Sequence, residues 1–431
     1  MLSYTDALEI VYSKISLRST LDTERTERSR EILRRTGEPQ ARVPAIHISG
    51  TKGKGSVAAM LAAVLQANGR RVGLYTSPHL HSLRERIQVD GEPVSEGDFA
   101  ALVERLRATF EVVSGTSFPE VMTALAFHHF ANEAVDIVVI EVHVGGTYDA
   151  TNVLTPICSV INVIAYDHTD VLGATLTEIA THKAGIIKAG VPVVSAAQKP
   201  EVLAVLRERA AAVGAPLTVS GTDVAYNVEP PTLTEQVISL GGTRYTTNLL
   251  GVHQGDNLAL ALATLQALPS PFAVDDLAAG LQDVRWPGRL EVVGRRPTML
   301  LDIAHNVAAA VRLRYFRDMA LPRARWTFVF GAKAGKDVRN MLMTITRPGD
   351  TVILTRVSEP ATQHPLRLFD EARVLDPNIG LFPQDDLRRG LKVAQRFSGP
   401  GDVICVTGSI FVVAAARAEL LAIPPEPGSA Y

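Results

Sequence analysis

Cysteine is almost missing from this chain: its 431 residues include two, Cys158 and Cys405. Both lie in apolar runs, Ile157 to Val163 and Val403 to Val406, far apart in sequence. That pattern excludes a disulfide framework and a cysteine metal cage, and it is the usage of buried strand thiols in a reducing cytosol. No apolar stretch reaches membrane-spanning length, and Met1 to Arg18 lacks a basic region followed by an apolar core and a cleavage site. Neither a span nor a secretory leader is expected, and the cytoplasm is the expected location. An excess of one charge is also absent, since 43 Lys and Arg against 45 Asp and Glu leave a formal net charge of −2. Broad attraction to nucleic acid or to an anionic membrane is therefore not expected, and small molecules are the expected partners. Internal repeats and low-complexity tracts are missing as well.

What is present is an ordinary globular composition, 46% hydrophobic and 20% charged, in a chain longer than one core usually organises. Apolar strands alternate with amphipathic helices, the rhythm of an α/β protein with mostly parallel sheets. Strand candidates are Val72 to Tyr75, Ile137 to Ile140, Ser159 to Ile164 and Val191 to Val194. Between Thr218 and Leu250, turn signals at Pro230-Pro231 and Gly241-Gly242 predict a small antiparallel β piece, followed by a helix from about Asp256 to Leu268. A second α/β series, with strands at Met299 to Leu301, Trp326 to Phe330, Thr351 to Leu354 and Val403 to Val406, begins after Arg285-Trp286-Pro287-Gly288-Arg289. The expected boundary lies near residues 290 to 297, giving domains 1–293 and 294–431, and the tail Pro424-Pro425-Glu426-Pro427-Gly428 is expected to be loose.

The stretch Ile46 to Leu65 reads as strand, glycine-rich turn and helix around Gly50-Thr51-Lys52-Gly53-Lys54-Gly55-Ser56. Backbone N–H groups in such a turn can close around phosphate oxygens at the positive end of the helix that follows. Lys54 offers a point charge to the outer phosphates and Ser56 a hydroxyl to Mg²⁺. The match to G-x-x-x-x-G-K-[ST] is imperfect, because Gly55 separates Lys54 from Ser56 and Ile48 stands where a glycine is usual.

Other constellations leave alternatives open. Glu141 ends an apolar strand just before Gly145-Gly146, where a carboxylate can hold a nucleotide's metal ion or be a solvated strand-end acid. His168, in Tyr166-Asp167-His168-Thr169-Asp170, is a metal ligand supported by Asp167 or Asp170, or a structural loop histidine. Lys183 falls near a buried face and must snorkel, pair, or change its charge by pKa shift or modification. Asp302 and His305 follow a strand, with Asn306 placed as a helix N-cap. Gly331-Ala332-Lys333-Ala334-Gly335-Lys336-Asp337 mimics a second phosphate loop but is one residue short and ends in Asp337, so it reads as a glycine turn and helix start.

In this order the motifs resemble the folylpolyglutamate synthase/dihydrofolate synthase family of the Mur ligase superfamily. The carrying residues are Ser49 to Val57, Gly73 to Leu80 with Glu85-Arg86-Ile87, Thr123 to Phe127, Glu141-Val142, Gly145-Gly146 and Asp149-Ala150-Thr151-Asn152. Asp167 to Asp170 with Leu172-Gly173, Lys183 to Lys188, Trp286 to Arg289, Asp302 to Asn306 and Thr407-Gly408-Ser409 complete the series. The resemblance implies a phosphate-loop ATP-binding domain and a smaller Rossmann-like domain closing around the reacting carboxyl. It also implies an ATP-dependent ligase that activates dihydropteroate or a folate as an acyl phosphate and joins it to L-glutamate, forming ADP and phosphate; a monomer is expected.

Carried over by position, Gly53, Lys54, Gly55 and Ser56 bind ATP phosphates, and Ser77, Glu141 and His168 ligate Mg²⁺, with two ions expected. Lys183 matches a lysine that is carbamylated in the family. Asn257, Arg289 and Asp302 match ATP contacts, His305 and Ser409 positions near the incoming glutamate, and Tyr148, Asp149, Ala150 and Thr151 part of the pterin-side pocket. Departures cluster: Lys52 stands for the usual asparagine, Pro119 for an apolar residue that is often aromatic, and His143 for a glycine. Thr147 stands for an arginine, and Ile303 for a glycine. The phosphate machinery is thus expected to be kept and the acid pocket altered. Two other readings stay in view: a Mur-type ligase for a different acid, and a nucleotide-binding switch without ligase activity.

Overall fold

The computed structural model describes residues 2–15, 22–357 and 362–427. The expectations resting on Arg18 and Gly428 lie outside these residues. The described chain forms an α/β protein divided into two compact units.

The first unit is built on an eight-stranded sheet of β1 (Ala45–Ser49), β2 (Val72–Tyr75), β3 (Ile87–Val89), β4 (Glu92–Pro93), β5 (Ile137–Glu141), β6 (Cys158–Ile161), β7 (Val193–Ser195) and β8 (Leu217–Val219). Their order across the sheet is β4-β3-β2-β5-β1-β6-β7-β8. Strands β2 and β5 to β8 run parallel with β1, while β3 and β4 are antiparallel additions at one edge. Every residue of β1, β5 and β6 is buried, as expected for parallel strands covered on both faces. One face packs against the helices Tyr4–Tyr12, Arg25–Arg35, Glu96–Val112 and Phe118–Asn132 through a core that includes Leu8, Ile32, Phe99, Phe110 and Phe130. The chain leaves β1 toward β2 on one side and later adds β6 on the other, so the strand order reverses around β1. Ligand sites of such sheets lie at the carboxyl ends beside this reversal.

A three-stranded antiparallel sheet, β9 (Tyr226–Val228), β10 (Gln236–Leu240) and β11 (Thr243–Thr247), occupies the predicted region. The helix Val252–Gln266 follows it, beginning before the expected Asp256.

The second unit carries a six-stranded sheet of β12 (Glu291–Arg295), β13 (Thr298–Leu301), β14 (Trp326–Phe330), β15 (Thr351–Thr355), β16 (Gly380–Gln384) and β17 (Val403–Thr407), ordered β12-β13-β17-β14-β15-β16. Here β12 is the antiparallel edge and the rest are parallel. Among the described residues, this unit takes 229–237, 248–253 and those from 286 onward, beginning a few residues before the expected 294. The reason is local. Gly288 N–H donates to Glu291 at 2.8 Å, Ile303 N–H donates to the Gly288 carbonyl at 2.9 Å, and Leu250 and Leu290 are buried in the second core.

Candidate active site

The phosphate-loop candidate leaves β1 and enters the helix Lys54–Ala67. Gly50 and Gly53 have φ of 146° and 78°. At Gly53 a Cβ would stand 2.4 Å from Asn257 Oδ1 and 2.6 Å from Asn162 Nδ2, so only glycine fits. Asn162 Nδ2 donates to Asn257 Oδ1 at 2.9 Å, and Asn257 Nδ2 donates to Gln254 at 2.8 Å. The far side of the turn is braced by Thr51, whose N–H donates to Val163 O at 2.8 Å and whose hydroxyl donates to Ala165 O at 3.1 Å. The result is a glycine turn fixed by polar residues from two distant segments, opening onto helix amides that by geometry lack intrahelical partners.

Charges gather around that turn. Lys54 Nζ stands 3.6 Å from Glu141 Oε1, and the other oxygen of Glu141 accepts from Ser77 N–H at 3.0 Å. Lys183, the last residue of the helix Leu176–Lys183, is 4% exposed and donates to the Gly50 carbonyl at 2.9 Å. It does not snorkel. Burial first, then the neighbouring Lys54 charge, push its ammonium down to about 7.

Of the expected metal set, Ser77 and Glu141 are in direct contact. Ser77 meets Glu141 through its backbone N–H, and the carboxylate is of the kind that suits a hard ion taking its remaining ligands from phosphate and water. His168 is exposed, in the left-handed region at φ 49°, and its neighbour Asp167 pairs with Lys52 at 3.0 Å. Among the described residues no three His, Cys, Asp or Glu side chains are arranged to hold a metal.

The segment after Glu141 is tied back to the phosphate-loop strand, with Ser49 Oγ donating to Gly145 O at 2.7 Å. Asp149, Ala150 and Thr151 are fully buried. Asp149 accepts from the N–H groups of His143, Val144 and Thr151 at 3.0–3.1 Å, and from the Thr151 hydroxyl at 2.6 Å. Burial alone would raise its carboxyl, yet hydrogen bonds from His143 and Thr151 hold it below the usual range. His47, kept neutral by burial that pushes it down to about 3, meets the Thr151 hydroxyl at 2.8 Å. These side chains shape the loop from inside, whereas Tyr148 lines an open cleft and lies 5.8 Å from the ring of His182.

In the second unit, Asp302 follows β13 and accepts from Leu290 and Ala304 N–H, both at 3.0 Å. Burial pushes its carboxyl up to about 6, against the pull of the neighbouring Arg289. His305 Nδ1 meets the Ile303 carbonyl at 3.0 Å, which places the proton on Nδ1. Asn306 caps the helix Val307–Ala320, and Ser409 caps Ile410–Leu421. Gly408 N–H donates to Ala304 O at 3.0 Å, so the loops after β13 and β17 lie side by side at the carboxyl edge of the sheet. Asn162 and Gln254 brace the turn through Asn257 and are residues that the sequence reading missed. For Asn162 the signal was a polar residue at the end of an apolar strand.

Comparison with known proteins gives a consistent picture. Residues 48–265 match the family Mur ligase middle domain, and residues 289–417 match Dihydrofolate synthetase, C-terminal domain. The dihydrofolate synthase/folylpolyglutamate synthase of Bacillus subtilis (strain 168) is 32% identical over 408 residues, covering 91% of this chain and 94% of that protein. Mycobacterium tuberculosis folylpolyglutamate synthase complexed with ADP and AMPPCP superposes with a TM-score of 0.85 at 31% identity, covering 98% of this chain and 100% of that one. E. coli FolC in complex with DHPP and ADP gives 0.82 at 26% identity, with 98% of each chain covered.

Proposed function

The chain belongs to the folylpolyglutamate synthase/dihydrofolate synthase family of the Mur ligase superfamily, and on that premise we propose that it joins L-glutamate to dihydropteroate, to reduced folates, or to both, at the expense of ATP. The observation that carries this reading is the braced glycine turn with Lys54, Glu141 and Lys183 converging on it. A substrate carboxylate oxygen attacks the γ-phosphorus, the bond to the β,γ-bridging oxygen breaks, and ADP leaves an acyl phosphate. The neutral amine of glutamate then attacks the acyl carbon, and the tetrahedral intermediate expels phosphate as the amine gives up a proton.

Gly53, Lys54, Gly55 and Ser56 hold the phosphates, and Lys54 answers the charge that develops on the transferred group. Asn257, Arg289 and Asp302 are assigned to ATP by their family positions. His305 takes the amine proton at Nε2, and Ser409 contacts the amino acid. Mg²⁺ would be held by Ser77 and Glu141, with His168 as a further ligand, and would neutralise phosphate charge there. Lys183 is the site of a carbamate. Its neutral Nζ attacks CO₂ and releases one proton, exchanging a buried cation for an anion beside the metal ligands. Tyr148 faces the acid, and Asp149, Ala150 and Thr151 set the loop that presents it.

Phosphate release measured with ATP, dihydropteroate or a reduced folate, and glutamate tests this reading. Release is expected only when acid and amino acid are both present. Release without either favours a nucleotide switch, and release only with an unrelated carboxylate removes the folate assignment.

A further inference from the structure

Two helices of the first unit, Glu96–Val112 and Phe118–Asn132, pack against each other and are joined only by residues 113–117. So short a connection makes them antiparallel neighbours. The first helix turns Asp98, Leu102 and Arg105 to one side, at the i, i+4, i+7 spacing of a single face. His129, Asn132 and Glu133 stand at i, i+3, i+4 at the end of the second. Together these residues line a groove of about 190 Å³. At roughly 30 Å³ for each water, the groove has room for about six, which suits one amino acid and not a nucleotide.

The groove lies away from the phosphate turn. Glu133 pairs with Arg71, which stands just before β2, and the N–H of Asp136, just before β5, donates to the Arg71 carbonyl at 2.8 Å. This end of the groove is therefore at the amino edge of the sheet, whereas the phosphate turn leaves the carboxyl end of β1.

Charge is divided along the groove. Antiparallel packing sets Asp98 beside Asn132 and Glu133 and leaves Arg105 toward the opposite end. The electrostatics agree, since Glu133 and Asp98 act on His129 whereas Arg105 acts on the preceding His128. Arg71 answers Glu133, but Asp98 accepts from the Ser95 hydroxyl at 2.5 Å and forms no ion pair among the described residues. Arg105 forms none there either, and two helical turns separate it from Asp98, too far for the pairing of i, i+4 neighbours. His129 lines the groove between them, 6% exposed and without a hydrogen-bond partner among the described residues. Burial lowers its pKa against the pull of Glu133 and Asp98, so its ring is neutral near pH 7 and has one donor and one acceptor to offer. A nearly buried imidazole with no protein partner takes its hydrogen bonds from whatever fills the groove.

We infer that this groove binds a small zwitterion of amino-acid size, with its carboxylate on Arg105, its ammonium on Asp98 and a hydrogen bond to His129 between them. A ligand of one charge would leave either Asp98 or Arg105 unanswered. The inference stands apart from the ligase reading, because none of these residues belongs to the site proposed for that reaction.

L-Glutamate is the probe, since it carries an ammonium and a side-chain carboxylate at opposite ends. The imidazole resonances of the full chain are followed by NMR, with His129 assigned through its loss in His129→Gln. L-Glutamate should move the His129 resonance saturably in the millimolar range, and glutarate, which lacks the ammonium, should need about tenfold more. Arg105→Gln and Asp98→Asn, both at exposed positions, should each weaken the response by about tenfold, with thermal unfolding as the folding control. No saturable movement, an equal response to glutarate, or a response unchanged in either folded variant overturns the inference.

Discussion

Each sheet sends a glycine-rich, lysine-bearing turn out of a parallel strand and into a helix: Gly50 to Gly55 after β1, and Gly331 to Lys336 after β14. In the first, Gly53 is pressed by Asn257 and Asn162 and Lys54 faces Glu141. In the second, Lys333, Gly335 and Lys336 are exposed, a Cβ at Gly335 would meet nothing within 4 Å, and Asp337 closes the turn as an ordinary N-cap for Val338–Ile345. Glycine and lysine spacing alone therefore does not make a phosphate site. Distant polar residues that fix the turn, and an acid that orients the lysine, do.

The sharpest way to break the comparison is to remove one lysine from each turn. Lys54→Ala should lower ligation by roughly a hundredfold or more, since the developing charge loses its nearest cation. Lys336→Ala should leave turnover unchanged. Equal losses in two folded variants would mean that the second turn also handles phosphate.

Lys183 belongs to the first turn and has no counterpart in the second. Its amine, brought down to about 7, must be neutral to capture CO₂, and that fraction falls roughly tenfold for each pH unit further below this value. Carbamate on Lys183, read by ¹³C NMR with ¹³C-bicarbonate, should accordingly be formed above about pH 7 and fade in acid. Lys183→Ala should retain at most a few per cent of activity. An active, metal-loaded enzyme whose Lys183 remains a plain amine would remove the carbamate from the mechanism.

Much of this first turn could be read from sequence, and the limits have physical reasons. Buried parallel strands such as β5 and β14 write themselves as unbroken apolar runs, and the turn between β1 and its helix follows from local glycines. The edge strand β16 did not stand out, because its half-exposed residues include Phe382 at 36% and carry no buried-strand run. The bonds Asn162 to Asn257 and Lys183 to Gly50 join residues 95 and 133 positions apart. No local pattern encodes such pairings, so the braces were invisible even where the turn was not.

Glu141 separates the turns by a smaller effect. Glu141→Ala should raise the Mg²⁺ concentration for half-maximal rate by about tenfold, because it removes the carboxylate that meets Ser77. His168→Ala, on an exposed side chain, should shift it less. A larger shift from His168 would relocate the ion toward the Asp167 loop.

The smallest expected effect falls on the glycines of the second turn, and it is read as stability. Gly335→Ala places a side chain in open space, so its only cost is the backbone at φ 80°, about 1–2 kcal/mol. Both tryptophans, Trp286 and Trp326, lie in the second unit, so tryptophan fluorescence in urea reports the unit that carries Gly335. Its midpoint should drop modestly with an unchanged slope. Gly53→Ala combines a similar φ of 78° with contacts of 2.4 and 2.6 Å to Asn257 and Asn162, whose mutual hydrogen bond it must break. Its loss, followed by calorimetry on the first unit, should exceed that of Gly335→Ala by several kcal/mol. Equal losses at the two glycines would mean that the asparagine brace yields freely, and the contrast between the turns would then rest on Lys54 and Glu141 alone.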